Sequence, residues 1–315
     1  MNQIIQRLLS VPLCLVLLFA VTGCQSNSNS NENSASTPEE TKTRTVSTVM
    51  GDIEVPVNPK RVACYTWTGD LLALGITPVI SNDAELPMMA DVLSGTEISW
   101  FEDPEEILAV NPDLIIIRDQ EKYEEYSKIA PTLVVEYNTS LDDRMAFFGK
   151  VFDVEEKAQQ VLDAFYSKVG TYVQAFKERG IYGKTITIMF YDDKAPYIYG
   201  DDYGFGGQVL YTLFGFHVPE IIQKEIIDTK EGFRSVSWEV AADYLSSDYI
   251  QVGEETLNAE TLETLGENAV WNSVDAVKNN QIITYSREYD RKTLYVLDKI
   301  IDYYYEQFME LSAKE

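Results

Sequence analysis

The chain has 315 residues, 45% of them hydrophobic, and carries 51 acidic against 25 basic side chains for a formal net charge of −26. That acidity repels phosphate backbones and argues against a nucleic-acid partner. The single histidine, His217, rules out a metal site built from several imidazoles and an HExxH protease, so a metal handled by this protein is expected to arrive already chelated.

Residues 1–23 open with a short positive region ending at Arg7, continue through the apolar run 8–20 and reach Val21-Thr22-Gly23-Cys24. This is the pattern of a bacterial lipoprotein signal peptide. The apolar run is short for a membrane span of about 20 residues. Cys24 is therefore expected to carry the lipid, at ~0.8 kcal/mol per buried methylene, and to hold the protein on the outer face of the cell membrane. Residues 24–44 are rich in Ser, Asn, Thr and Glu and read as a solvated tether. Cys14 leaves with the signal, so Cys64 remains without an intramolecular partner and is expected as a small buried apolar residue.

Residues 45–152 read as an N-terminal lobe. Residues 61–65 form a buried strand, 70–74 a helix ended by Gly75, and 77–80 the next strand. A helix over 104–110, a strand over 114–117 and another over 133–136 follow. Residues 153–180 form a connecting helix, with Val154, Ala158, Val161, Leu162, Phe165, Val169, Tyr172, Val173 and Phe176 along one face. Asp153 with Glu156 reads as its capping box and Gly180 as its stop. Residues 154–179 would span ~39 Å, with Gly170 costing about 1 kcal/mol in mid-helix. Residues 181–315 repeat the alternation in a C-terminal lobe: strands over 185–190 and 197–199, helices over 208–214 and 239–244, strands over 249–252 and 282–285, and an aromatic helix over 292–311.

The pattern predicts an α/β fold of two Rossmann-like lobes with parallel-rich sheets joined by one long rigid α-helix. Ligands of such sheets bind beyond the carboxyl ends of the strands. Tyr65 and Trp67 follow the first strand, Arg118 the strand over 114–117, Tyr191 the strand from residue 185, and Arg287 and Tyr289 the strand over 282–285. Aromatic rings there would cover an organic shell and arginines would meet its oxygens; core packing and solvated surface charge are the competing roles. Gly204 to Gly207, between a strand and a helix, could cradle phosphate, yet neither a Walker lysine nor GxGxxG spacing is present. An enzyme would need a nucleophile–base pair or a metal cluster. There is no GxSxG motif, and Cys64 sits within a strand.

Residues 45–56 (TVSTVMGDIEVP), 58–62 (NPKRV), 70–79 (DLLALGITPV), 111–117 (NPDLIII), 129–132 (IAPT), 199–207 (YGDDYGFGG) and 209–211 (VLY) occur in an order and spacing that resemble the iron-siderophore-binding lipoproteins of Gram-positive bacteria, over about residues 45–312. The resemblance is to the class III, ferric hydroxamate-binding branch. It implies two lobes about a rigid helix, a pre-chelated ferric siderophore as ligand with no cofactor or directly bound metal, and delivery of that ligand by a monomer to an ABC importer permease. Tyr197 and Tyr203 match aromatic positions of that branch, whereas its Trp-Gly-Arg segment reads Tyr203-Gly204-Phe205 here, adding Phe205 to the site in place of an arginine. Glu105 and Glu239 stand at positions where the family's glutamates meet arginines of the importer; each would also complement a helix dipole by ~0.3–1 kcal/mol. A catecholate or carboxylate siderophore, haem or a corrinoid are the alternative ligands, and a surface hydrolase or an adhesive surface protein are the readings from other classes.

Overall fold

A computed structural model describes residues 42–83, 87–192, 194–201, 204–254 and 258–313. The expectations placed on residues 1–41, Cys24 among them, and on Tyr203 lie outside those residues. The described chain opens with an antiparallel hairpin, β1 (Thr43–Thr48) and β2 (Gly51–Pro56), in register Val46 opposite Ile53. Its alternation sends Val46, Ile53 and Val55 into the core.

The N-terminal lobe is a five-stranded parallel sheet. Its elements are β3 (Val62–Cys64), α1 (Thr68–Leu74), β4 (Ile80–Ser81), β5 (Glu97–Ile98), α2 (Pro104–Ala109), β6 (Leu114–Ile117), α3 (Tyr123–Tyr126) and β7 (Thr132–Val134). The strand order is β5-β4-β3-β6-β7. β3, β6 and β7 are buried at every residue, as unbroken apolar runs in a covered parallel sheet should be. Gly75 closes α1 at φ 81°, where the left-handed backbone lets the Ile76 amide reach back to Leu71.

Two helices lead out of this lobe. α4 (Leu141–Phe152) is absent from the sequence reading, although Ser140 caps it by accepting from the Asp143 amide at 3.1 Å. α5 (Glu155–Glu178) is the expected connecting helix, 24 residues and hence about 36 Å long. The expected capping box does not form. Asp153 instead adopts φ 60° and terminates α4, a left-handed position that Asp tolerates better than most residues, so Val154 opens α5 without a side-chain cap. Gly149 lets α4 approach α5, since a Cβ there would meet Ala158 at 3.1 Å.

The C-terminal lobe contains β8 (Ile186–Tyr191), β9 (Pro196–Tyr199), a π-helical turn (Gln208–Leu213), α6 (Glu220–Ile222), β10 (Phe233–Ser235), α7 (Trp238–Tyr244), β11 (Tyr249–Gly253), α8 (Ala259–Glu267), α9 (Asp275–Lys278) and β12 (Ile282–Tyr285). Its sheet runs β10-β9-β8-β11-β12, parallel across β8, β11 and β12 and antiparallel at β9 and β10. α10 (Leu294–Ser312) then returns along α5, joined to it by Lys168 with Asp298 and by the Tyr172–Tyr305 stack at 3.9 Å. One continuous apolar core runs from β3 through α5 to β12 and α10. Among the described residues no helix is long and apolar enough to cross a membrane.

Candidate ligand-binding site

The carboxyl ends of the strands carry one assembly in each lobe. In the N-terminal lobe, β3 delivers Tyr65, β6 delivers Arg118, and the chain leaving β7 delivers Tyr137. The Arg118 guanidinium carbon stands 5.2 Å from the Tyr65 ring centroid and 5.7 Å from that of Tyr137. Phe101 supports Tyr65 from 5.4 Å. In the C-terminal lobe, Arg287 follows β12 and lies 5.3 Å from the Phe190 ring and 5.9 Å from Phe205. Phe205 in turn rests on Tyr199 and Tyr285, at 4.3 and 5.4 Å. A guanidinium laid on a ring face is oriented there by the ring quadrupole. Each lobe therefore presents a cation on an aromatic support.

Between the lobes lies a crevice of about 750 Å³, lined by Tyr137, Ser140 and Arg144 on one side and by Asp201, Gln208 and Lys292 on the other. That volume suits a compact organic ligand. Tyr137 links the crevice to the second assembly: Lys292 Nζ lies 5.1 Å from its ring, and it shares a narrow recess with Gly204, Tyr289 and Asp290. Charge along the walls is close to balanced. Lys230 and Lys292 stand with Asp201 along the walls, Glu231 is held by Arg234 at 2.8 Å, and Arg144 is neutralised by Asp70. A comparable hollow, about 700 Å³, sits at the amino ends of the C-terminal strands. There Asp248 is engaged by the Thr185 amide and hydroxyl, both at 2.8 Å, which is a structural task.

Residues 57–289 match the pattern of the family described as periplasmic binding protein. The chain belongs to that family. It is 30% identical over 297 residues to the iron(3+)-hydroxamate-binding protein YxeB of Bacillus subtilis (strain 168), covering 88% of each chain. It is also 30% identical over 294 residues to the iron(3+)-hydroxamate-binding protein FhuD of the same strain, covering 90% of this chain and 91% of that one. Unliganded FhuD2 from Staphylococcus aureus matches the fold with a TM-score of 0.71 at 26% identity, covering 86% of this chain and 100% of that one.

Within this periplasmic binding protein, Tyr65, Arg118, Phe205 and Arg287 belong to the two assemblies, and Tyr289 lines the recess while packing against Tyr303 at 5.0 Å. Trp67 does not reach the surface. It is 1% exposed, donates its indole N–H to the Val135 carbonyl at 2.9 Å and lies under the Arg144 guanidinium at 4.4 Å, which makes it core beneath the crevice. Tyr191 is also core. It alternates with Phe190 along β8, so it joins the apolar cluster on the opposite sheet face, against Trp238 at 5.7 Å. Tyr197 is half-buried, with its ring 6.1 Å from Phe233. Tyr137 and Phe190 are members that the sequence reading missed. The period-2 alternation of β8 was the available signal for Phe190, and Tyr137 had none beyond its place after β7.

Glu105 and Glu239 are exposed in the first turns of α2 and α7, one in each lobe. Hydrogen bonds from Ser237 and from its own amide hold the Glu239 carboxyl below its usual range. Cys64 is fully buried, and that burial pushes its thiol pKa upward. Among the described residues no group of His, Cys, Asp and Glu side chains is arranged to hold a metal ion.

Proposed function

We propose that this chain is an extracytoplasmic lipoprotein, anchored through Cys24, that captures a ferric siderophore of hydroxamate type between its lobes and hands it to an ABC importer permease. The observation that carries this reading is the pair of assemblies, Arg118 on Tyr65 and Tyr137, and Arg287 on Phe190 and Phe205. Aromatic rings cover the apolar linkers of a chelate at about 25 cal/mol per Å² before ordering costs. Guanidinium groups donate to the chelating oxygens. Three hydroxamates neutralise one ferric ion, and a crevice of nearly balanced charge suits such a neutral core. No bond is made or broken in this role.

Calorimetric titration with ferrioxamine B, a ferric catecholate, ferric citrate and ferric ion alone tests the reading. One-site binding of the hydroxamate, tighter than either other chelate and absent for the bare ion, is expected. A folded protein that ignores the hydroxamate ends it. For delivery, the Glu105→Lys/Glu239→Lys double variant is expected to keep its ligand affinity and lose uptake into cells, and normal uptake would remove the docking role. Substitution of Cys24 by Ala is expected to release the protein into the medium.

A further inference from the structure

The backbone turns left-handed at three successive residues, Gly204 at φ 83°, Phe205 at φ 53° and Gly206 at φ 79°, before Gly207 returns to φ −54°. A turn of this kind can offer backbone amides to an anion as a nest; here the Gly207 amide closes the turn on the Gly204 carbonyl at 3.3 Å. The nest is occupied by the chain itself. The Phe205 amide donates to the Asp290 carboxylate, and Gly204 approaches so closely that a Cβ there would stand 2.5 Å from Asp290 Oδ1. Desolvation of its carboxyl against the turn pushes this group upward, and Arg291, Arg287 and Lys292 favour its ionised form; the residue as a whole stays exposed. A phosphate cradle in this segment is therefore closed to an outside anion.

Asp290 is not needed to shape the turn. Gln251 donates its Nε2 to the Phe205 carbonyl at 3.0 Å, and Tyr304 hydrogen-bonds to Gln251 from behind. Both are fully buried. Without the carboxylate, the nest and three neighbouring cations would remain. The recess that holds it shares Tyr137, Gln208 and Lys292 with the interlobe crevice, so a ligand in the crevice lies next to it.

We infer that Asp290 is a specificity-determining residue, a carboxylate of the chain's own that caps the anion nest at the exposed edge of the recess beside the crevice and turns away ferric chelates bearing an anionic arm while neutral chelates are admitted. This rests on the reading of the crevice as the chelate site. Like charges set against each other at a binding surface are a standard means of rejecting a wrong partner.

The test compares the full chain with Asp290→Asn, which removes the charge but can still accept from Phe205, and with Asp290→Ala, which empties the nest. Affinities for a neutral cyclic ferric trihydroxamate and for ferric citrate are measured by calorimetry, and melting is followed with and without inorganic phosphate. Both variants are expected to hold the neutral cyclic trihydroxamate within about threefold of the parent and to bind ferric citrate about tenfold more tightly or better. Asp290→Ala is also expected to gain stabilisation by phosphate that the parent lacks. An unchanged citrate-to-hydroxamate ratio, or a parallel loss of both in a variant that melts like the parent, overturns the inference. Should Asp290→Ala fail to fold, the Asn variant decides by the same ratio. If the parent binds no ferric hydroxamate but the Ala variant gains phosphate stabilisation, the chelate reading fails and the blocked nest stands; if the hydroxamate binds and selectivity does not move, only the inference fails.

Discussion

The Asp70–Arg144 pair sets a stability test whose size follows from its surroundings. Asp70 is fully buried and the Arg144 side chain is 3% exposed, with Nε to Oδ2 at 2.7 Å. The second carboxylate oxygen accepts the Leu294 amide at 2.7 Å, and Arg144 also donates to the carbonyls of Thr139 and Lys292. Asp70→Ala thus strands a guanidinium and an amide together. Removal of one partner of a buried pair costs about 3–5 kcal/mol, and the stranded amide places this variant near the upper part of that range. In a folded body of this size the melting point should fall by about 10 °C. Urea titration followed by circular dichroism measures the loss, with an unchanged slope confirming that the denatured state is the same. Replacing both partners, Asp70→Leu with Arg144→Met, should recover at least about half of it, because no buried charge is left unpaired. A loss below about 1 kcal/mol for Asp70→Ala, the level of an exposed pair, would refute the reasoning.

Arg118→Ala and Arg287→Ala should each weaken ferric hydroxamate binding about tenfold. They should be nearly additive because the two residues stand in different lobes; isothermal titration reads both, and an unaltered affinity in either removes that residue from the site. Gly206→Ala should cost about 3 kcal/mol, from an unfavourable left-handed φ of 79° together with a Cβ placed 1.9 Å from the Tyr304 hydroxyl; wild-type melting would contradict this packing. The Cys64 thiol is raised in the folded state, so its contribution to stability is complete below its ordinary value of 9.0 and declines as pH rises above that, towards the folded value. Compared with Cys64→Ala, the parent should lose about 1.4 kcal/mol more per pH unit above about pH 9. Parallel pH profiles would argue against a buried thiol.

Local periodicity made much of this fold legible. β6 and α5 are legible almost to the residue because one is an unbroken apolar run opened by Asn-Pro-Asp and the other has an apolar stripe ended by Gly180. α4 was hidden because two of its buried positions are Arg144 and Gly149: the first is buried only because Asp70 waits for it, the second because α5 approaches. Asp70 lies 74 residues away from Arg144, and the approach of α5 depends on the turn between the two helices. Asp153 looked like the cap of the following helix, and the decision between that role and ending the preceding one lies in a backbone angle that composition does not set. The site was half legible for a similar reason. A position after a strand says that a residue is near the carboxyl edge but not which face it takes, so Tyr65 and Arg118 stand together at that edge beside Tyr137 while Trp67 and Tyr191 turn into the core. Asp290 carried no signal, since its task is set by a glycine turn far upstream.

Among the described residues the lobes are tied through α5 and through the start of α10, where Met89 and Leu93 also pack on Val296, and this limits how they can move. α5 is one strut, about 36 Å long. The other is the crossing between β12 and α10, where Arg291 pairs with the fully buried Asp83 at 2.7 Å, the Lys292 carbonyl accepts Arg144 and the Leu294 amide is held by Asp70. A hinge needs a few residues free to absorb large changes in φ and ψ, and the crossing has its side chains and backbone committed to the other lobe. Ligand binding should therefore rearrange side chains around Arg118 and Arg287 more than it rotates the lobes. Small-angle scattering of the folded part, with an expected radius of gyration of ~18 Å, should change by less than about 0.5 Å on saturation with a ferric hydroxamate. Loosening the crossing with Asp83→Ala should enlarge that change at equal ligand occupancy, because one of its three polar ties is then lost. A compaction well above 1 Å in the parent would show that the crossing yields, and would sink the two-strut account.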